Sequence, residues 1–161
     1  MKYFLVAVLL SITASAFAQD AMEMLRQDLK TQKVAILTAS LPLTQKQADA
    51  FWPIYREYSN ELAKLGDRRM AVLKTFAANF DNLGEKQADE LVKESIKIMN
   101  ERNSLLEKTY KKVVKAVGGI TGARFIQVEN QMLTLIDAQI VSQVPLVKAP
   151  KEGTAEPVEK K

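Results

Sequence analysis

Between Phe51 and Phe76 the residues Phe51, Tyr55, Tyr58, Leu62, Leu65, Val72 and Phe76 recur at spacings of three and four, with Arg69 in the one vacant place. A helix of 3.6 residues per turn lays such residues along one side as a continuous apolar seam, whereas a half-buried strand would alternate apolar and polar. No stretch of the chain shows that alternation. The seam therefore predicts one long helix, which needs another apolar stripe to pack against.

The start of that helix is marked. Thr44 and Gln47 stand three apart, just after Pro42. The Thr44 hydroxyl can accept from the N–H of Gln47 while the Gln47 side chain reaches back to the N–H of Thr44, a reciprocal capping box. The helix is predicted from Thr44 to about Phe80. Pro53 lies well past the first turn and should kink it or divide it in two. Gly66 weakens the interior by about 1 kcal/mol relative to Ala, and marks a close helix approach or a bend.

Asp81-Asn82-Leu83-Gly84 reads as a turn. A second helix is predicted from Glu85 to about Val117, with Ala88, Leu91, Ile98, Leu105, Val113 and Val117 on one face, widened by Val92, Met99, Leu106 and Tyr110. The two helices match in length across a short connection, so they are expected to fold back seam to seam. Ahead of them a shorter helix is predicted from Ala21 to Ala39, stopped by Ser40-Leu41-Pro42. Behind them Gly118-Gly119 gives a stop. A last helix follows to about Gln143, with Thr121 as its cap and Phe125, Val128, Met132, Leu135 and Ile136 as its stripe. The expectation is an all-α fold, a long antiparallel helical hairpin with two flanking shorter helices.

The first eighteen residues read as an export signal. Lys2 precedes the apolar run Tyr3 to Leu10, and Ala16-Phe17-Ala18 places small residues at −3 and −1, which predicts cleavage after Ala18. The uncharged stretch from Tyr3 to Ala18 is 16 residues, short of the roughly 20 that a spanning helix needs. Residues 19–147 are then one helical domain. The segment 148–161, with two Pro, one Gly and a single large apolar residue, is expected to be disordered. A net charge of +4 is mild. It does not call for nucleic acid, and export argues against it.

The chain has no His and no Cys. It therefore lacks the commonest general base, the most nucleophilic side chain and the soft metal ligands. No phosphate-binding glycine motif is present. Neither an enzyme, a metal site nor a cofactor is expected.

Leu83-Gly84-Glu85-Lys86-Gln87 repeats the pattern of Leu43-Thr44-Gln45-Lys46-Gln47 with Gly at the cap position. Together with the export signal and the helical layout, these residues resemble the LTXXQ-motif family of periplasmic proteins, the Spy/CpxP group. The resemblance covers roughly Ala21 to Val144. It implies a cradle-shaped dimer built on a long hairpin, working as an ATP-independent chaperone for unfolded or partly folded envelope proteins, or as an accessory that binds the periplasmic domain of a membrane stress sensor. The metal-responsive role of some members is not implied, since its ligands are missing.

Several residues are candidate binding positions. Leu43, Thr44, Gln47, Leu83 and Gln87 start the two helices; the plain reading is capping, the sharper one that both motif copies sit together and shape a partner surface. Phe51, Tyr55 and Tyr58 read as core, while Trp52 stands one residue off that face as a core-edge residue or a binding anchor. Arg69 and Arg102 interrupt the two seams, either snorkelling to water or a Glu or lining a shallow mixed groove. Lys108, Lys111, Lys112 and Lys115 share a face, as a solvated surface or as a positive strip for acidic clients or lipid. A lipid-associated structural role of the amphipathic helices is a third class of reading, without stable membrane insertion.

Overall fold

The computed structural model describes residues 31–149, and among them the regular structure is entirely helical. The export signal, the first part of the leading helix and residues 150–161 lie outside the described residues. The chain divides at the Pro42–Leu43 bond into two compact units.

In the first unit residues 31–40 are helical, designated α1. The Leu41 N–H still donates to Leu37 O at 2.9 Å, and Pro42 then ends the run. Leu37 and Leu41 are buried, whereas Val34 and Ile36 are exposed.

The second unit holds three helices among the described residues: α2 (Gln45–Asn79), α3 (Glu85–Val117) and α4 (Gly119–Val141). Thr44 caps α2 in extended conformation, with both arms of the capping box formed. Pro53 neither ends nor divides α2, which runs unbroken for 35 residues. Pro53 is exposed, so water can serve the carbonyl that its missing N–H deprives of a partner. The buried side chains of Phe51 and Tyr55 on the other side hold the helix in place.

Side-chain bonds order the helices against one another. Gln47, Glu57 and Arg68 of α2 meet Val117, Lys112 and then Glu101 and Glu94 of α3, so partners fall in α3 as they rise in α2. α4 contributes Glu129 to Tyr58 of α2, and Asp137 to both Arg69 of α2 and Arg102 of α3.

A single residue joins α3 to α4. Gly118 is the last cap of one and the first of the other, at φ 88° and ψ 164°, a conformation closed to residues with a side chain. Its N–H donates to Val114 O and its carbonyl accepts from Gly122, both at 2.9 Å. The sequence places the cap at Thr121; instead the glycine turns the chain at once, and Thr121 falls inside the first turn of α4. The glycine that permits close packing is Gly122, where an added Cβ would lie 2.7 Å from Val114 Cγ2. Gly66 has open space around it and mediates no such approach.

The buried side chains concentrate where all three helices run together: Phe51, Tyr55 and Tyr58 from α2, Ile98, Val113 and Val117 from α3, Phe125 and Met132 from α4. Val92 and Met99, expected to widen the α3 core face, are about half exposed, and Leu135 is 72% exposed. The tail after α4 reaches back to the α2–α3 turn. Lys148 pairs with Asp81 and lies 4.9 Å from the centre of the Phe80 ring. No described helix is long and apolar enough to cross a membrane.

Candidate functional site

The aromatic positions of α2 converge with Phe125 into one cluster. Phe125 meets Phe51, Tyr55 and Tyr58 edge to face, at ring-centre distances of 5.6, 6.4 and 6.2 Å, the geometry favoured by opposed ring quadrupoles. Trp52 sits at the margin of the cluster, half buried, with edge contacts to Phe51 and Tyr55.

Within this apolar cluster lies a carboxylate. Glu129 is fully buried and accepts from the Tyr58 hydroxyl at 2.8 Å. Burial first, then the charge and hydrogen bond of Glu129, push the Tyr58 phenol above its ordinary value of 10.0. Burial and the Glu129 charge do the same to Tyr55. Both phenols stay protonated through neutral pH, which keeps Tyr58 a donor. Sequence reading passed over Glu129 while taking its neighbours Val128 and Met132 for the stripe. The available signal was spacing: Phe125, Glu129 and Met132 fall on one side of α4.

Two turns further along α4, Asp137 receives Arg69 from α2 and Arg102 from α3, the latter at 2.8 Å. Partial burial raises the Asp137 carboxyl, but the hydrogen bonds and charges of both guanidinium groups outweigh it, and the group sits below its ordinary value of 3.8. The two arginines that interrupt the seams thus reach an Asp rather than a Glu. They converge on one carboxylate and tie the three helices together.

The motif copies do not sit together. Gln47 donates from Nε2 to the Val117 carbonyl at 3.1 Å while its Oε1 accepts from the Thr44 N–H at 3.0 Å. The first copy thus caps α2 and also satisfies an orphan carbonyl in the last turn of α3. Gly84, in the second copy, begins α3 at its other end, 33 residues away, or about 50 Å along the helix axis. Leu83 and Gln87 beside it are half buried, and Gly84 makes no side-chain cap.

Three of the four lysines meet at a groove. Ile54 of α2 and Leu105 of α3 line a depression of about 340 Å³ together with Lys108, Lys111 and Lys112. Lys112 pairs with Glu57 across the helices at 2.7 Å, and Lys111 pairs with Glu107 one turn away. The hydrogen bond from Lys111 and its charge hold the Glu107 carboxyl below its ordinary range. Lys115 lies outside this lining, in the last turn of α3, where a cation complements the helix dipole. The arrangement offers a small apolar floor beside three lysines, two of which are paired with Glu57 and Glu107. Among the described residues there is no group of three or more His, Cys, Asp or Glu side chains placed to hold a metal ion. Comparisons with protein-family models, with curated proteins and with solved structures return no match to this chain.

Proposed function

We propose that the chain is an exported, ATP-independent chaperone-like protein of the periplasm that holds exposed apolar segments of partly folded envelope proteins. The observation that carries this reading is the groove in which Ile54 and Leu105 lie beside Lys108, Lys111 and Lys112. A small apolar floor takes one client side chain at a time and selects little among them. The lysines act at longer range, attracting acidic stretches of a client and raising the encounter rate. Weak, unselective contact with fast capture is the behaviour that a holding protein without an energy source needs. The long helices supply the rigid support, with α2 and α3 as an antiparallel hairpin and two copies of the chain forming a dimer.

The test is an aggregation assay on the chain from Gln19 onward with two unrelated denatured proteins. Suppression of both at near-stoichiometric amounts is expected. Capture should slow as salt rises, because charges at the groove rim are screened over about 8 Å at physiological ionic strength. Lys108→Glu combined with Lys111→Glu should slow capture with helicity unchanged. Failure to suppress either client overturns the reading. If that failure comes with retention of one membrane sensor domain in a pull-down, the accessory role replaces it.

A further inference from the structure

Residues 144–149 follow α4 without regular structure and are exposed throughout. Val144-Pro145-Leu146-Val147 is nevertheless wholly apolar, with Leu146 and Val147 91 and 56% exposed. Both ends of the segment are held. Ser142, Gln143 and Val144 donate back to Ala138, Ile140 and Val141, while Lys148 pairs with Asp81 and lies over the Phe80 ring. The fold leaves little slack between these anchors. α4 runs antiparallel to α3, since Gly122 meets Val114 and Asp137 meets Arg102. Val141, one turn beyond Asp137, is therefore level with about position 98 of α3, and the start of α3 at Gly84 is about 21 Å further along the axis. Residues 142–148 reach about 25 Å at full stretch, and the turn at 142–144 takes up part of that length. Residues 145–148 are thus drawn out in extended form.

An extended segment without a neighbour presents unpaired main-chain groups. The N–H groups of Leu146, Val147 and Lys148 donate to no acceptor among the described residues. In a strand, successive N–H groups face opposite edges. Leu146 and Lys148 then share one edge. Val147 and Pro145 share the other, where Pro145 has no N–H to offer. One edge can continue a ladder, and the other is blunted by proline, as edge strands commonly are.

We infer that the segment from Val144 to Lys148 is a docking strand, which takes up an unpaired β-strand of another polypeptide along its Leu146 and Lys148 edge. Free N–H groups in a row call for a row of carbonyls, and an extended main chain supplies one. The helices cannot offer such an edge, because their main-chain groups are spent within each helix. The apolar side chains of Leu146 and Val147 add contact on either face of the pairing, where strand-forming side chains of the partner would lie. Anchoring at both ends means that the ordering cost of the strand is met before the partner arrives, so a short pairing suffices. The segment reads main chain, whereas the lysine groove takes single side chains. The inference goes beyond the holding role proposed above and does not depend on that groove.

The probe is a short uncharged peptide of alternating valine and threonine, added to the chain from Gln19 onward. Amide exchange with solvent is followed residue by residue by NMR. Exchange at the Leu146 and Lys148 N–H groups should slow about tenfold, while that at Val147 stays as it was. Leu146→Pro removes a donor from the competent edge and should weaken the probe about tenfold. Val147→Pro, on the blunted edge, should leave its affinity unchanged. Both positions are exposed, so neither variant disturbs the core. Lys108→Glu combined with Lys111→Glu should keep the exchange pattern, and its loss there would overturn the strand by placing the peptide in the groove. Equal slowing at all three N–H groups, or at none, overturns the pairing. Slowing already present before the probe is added overturns it as well: a second copy occupies the edge if the slowing grows with chain concentration, and another segment of the same chain if it does not.

Discussion

The two ends of the α2–α3 pair are built differently. At the end holding Thr44, Val117 and Gly118, α4 lies alongside, and Phe51, Tyr55, Tyr58, Val113, Phe125 and Glu129 are all buried. At the end holding the Asp81–Gly84 turn, no residue between positions 59 and 97 is buried. Beyond the Arg69–Asp137 contact with α4, Val72, Phe76 and Leu91 continue the seams, but two helices alone cannot enclose them. What joins the helices there is partly ionic, Arg68 pairing with Glu94 at 2.7 Å and with Glu101. The hydrogen bond from Arg68 and its charge hold Glu101 below the ordinary carboxylate range. Pairs this exposed to solvent contribute little to stability. The same seam pattern therefore yields a core at one end and a half-wetted zipper at the other, and the third helix makes the difference. Local opening should begin at the turn end, since stability is distributed according to buried apolar contact.

The sharpest break of this contrast is a pair of phenylalanine truncations. Phe125→Ala empties the centre of the aromatic cluster and should cost about 3–5 kcal/mol in urea unfolding. Phe76→Ala removes a half-exposed ring that packs on Phe80 at 5.5 Å, and should cost well under half of that. Equal losses would mean that the turn end encloses its side chains as well as the capped end does.

Much of this contrast could not be read from the sequence. Helix identity and limits depend on neighbours a few residues apart, so the seams and the Gly84 and Val117 limits of α3 were legible. How much of each seam is covered depends on a third helix far along the chain. The spacing of Val92, Met99 and Leu135 is equally consistent with core and with surface, and they lie at the surface. Arg69 and Arg102 were visible as interruptions, but their partner Asp137 is 68 and 35 positions away, and no local pattern points to it. Gly118 turning the chain by itself was hidden because a positive φ at one glycine lets a single residue serve two helices.

pH separates the ends next. The depressed Asp137 carboxyl contributes stability that is complete above its unfolded value of 3.8 and is lost as pH falls through the lower folded value. The raised phenols of Tyr58 and Tyr55 contribute stability that is complete below 10.0 and is lost as pH rises through their higher folded values. Thermal unfolding should hold level between these limits. It should then weaken below about pH 4 and above about pH 10, in both cases by freeing α4. Asp137→Asn should remove most of the acid limb that is due to this site and leave the alkaline limb in place. An acid limb of full size in that variant would break the link between Asp137 and α4 docking.

Capping tests the same comparison on a finer scale. Thr44→Ala deletes the hydroxyl that accepts the Gln47 N–H at 3.3 Å, and should cost about 1 kcal/mol. Because Gln47 also holds the Val117 carbonyl, hydrogen exchange should rise in the last turn of α3 as well as in the first turn of α2. Exchange confined to α2 would show that the Gln47 bridge does not depend on the cap.

The smallest effect is expected at the other motif copy, where the chain can be improved. Thr44 and Gly84 hold nearly the same backbone, φ −66° and ψ 161° against φ −82° and ψ 157°. The carbonyl of each accepts from the residue four ahead, at 2.9 Å. Gln87 stands where Gln47 does, three residues after the cap, yet Gly84 offers it no hydroxyl to complete a box. A Cβ at position 84 meets nothing within 4 Å, so a serine fits without strain. Gly84→Ser should therefore stabilise by a few tenths of a kcal/mol, through the cap itself and through the lower chain entropy of the unfolded state. The gain should appear as slower exchange in the first turn of α3. Its size tells whether the turn end limits cooperative unfolding: a gain seen in local exchange but not in the global transition would mean that this end opens before the rest unfolds.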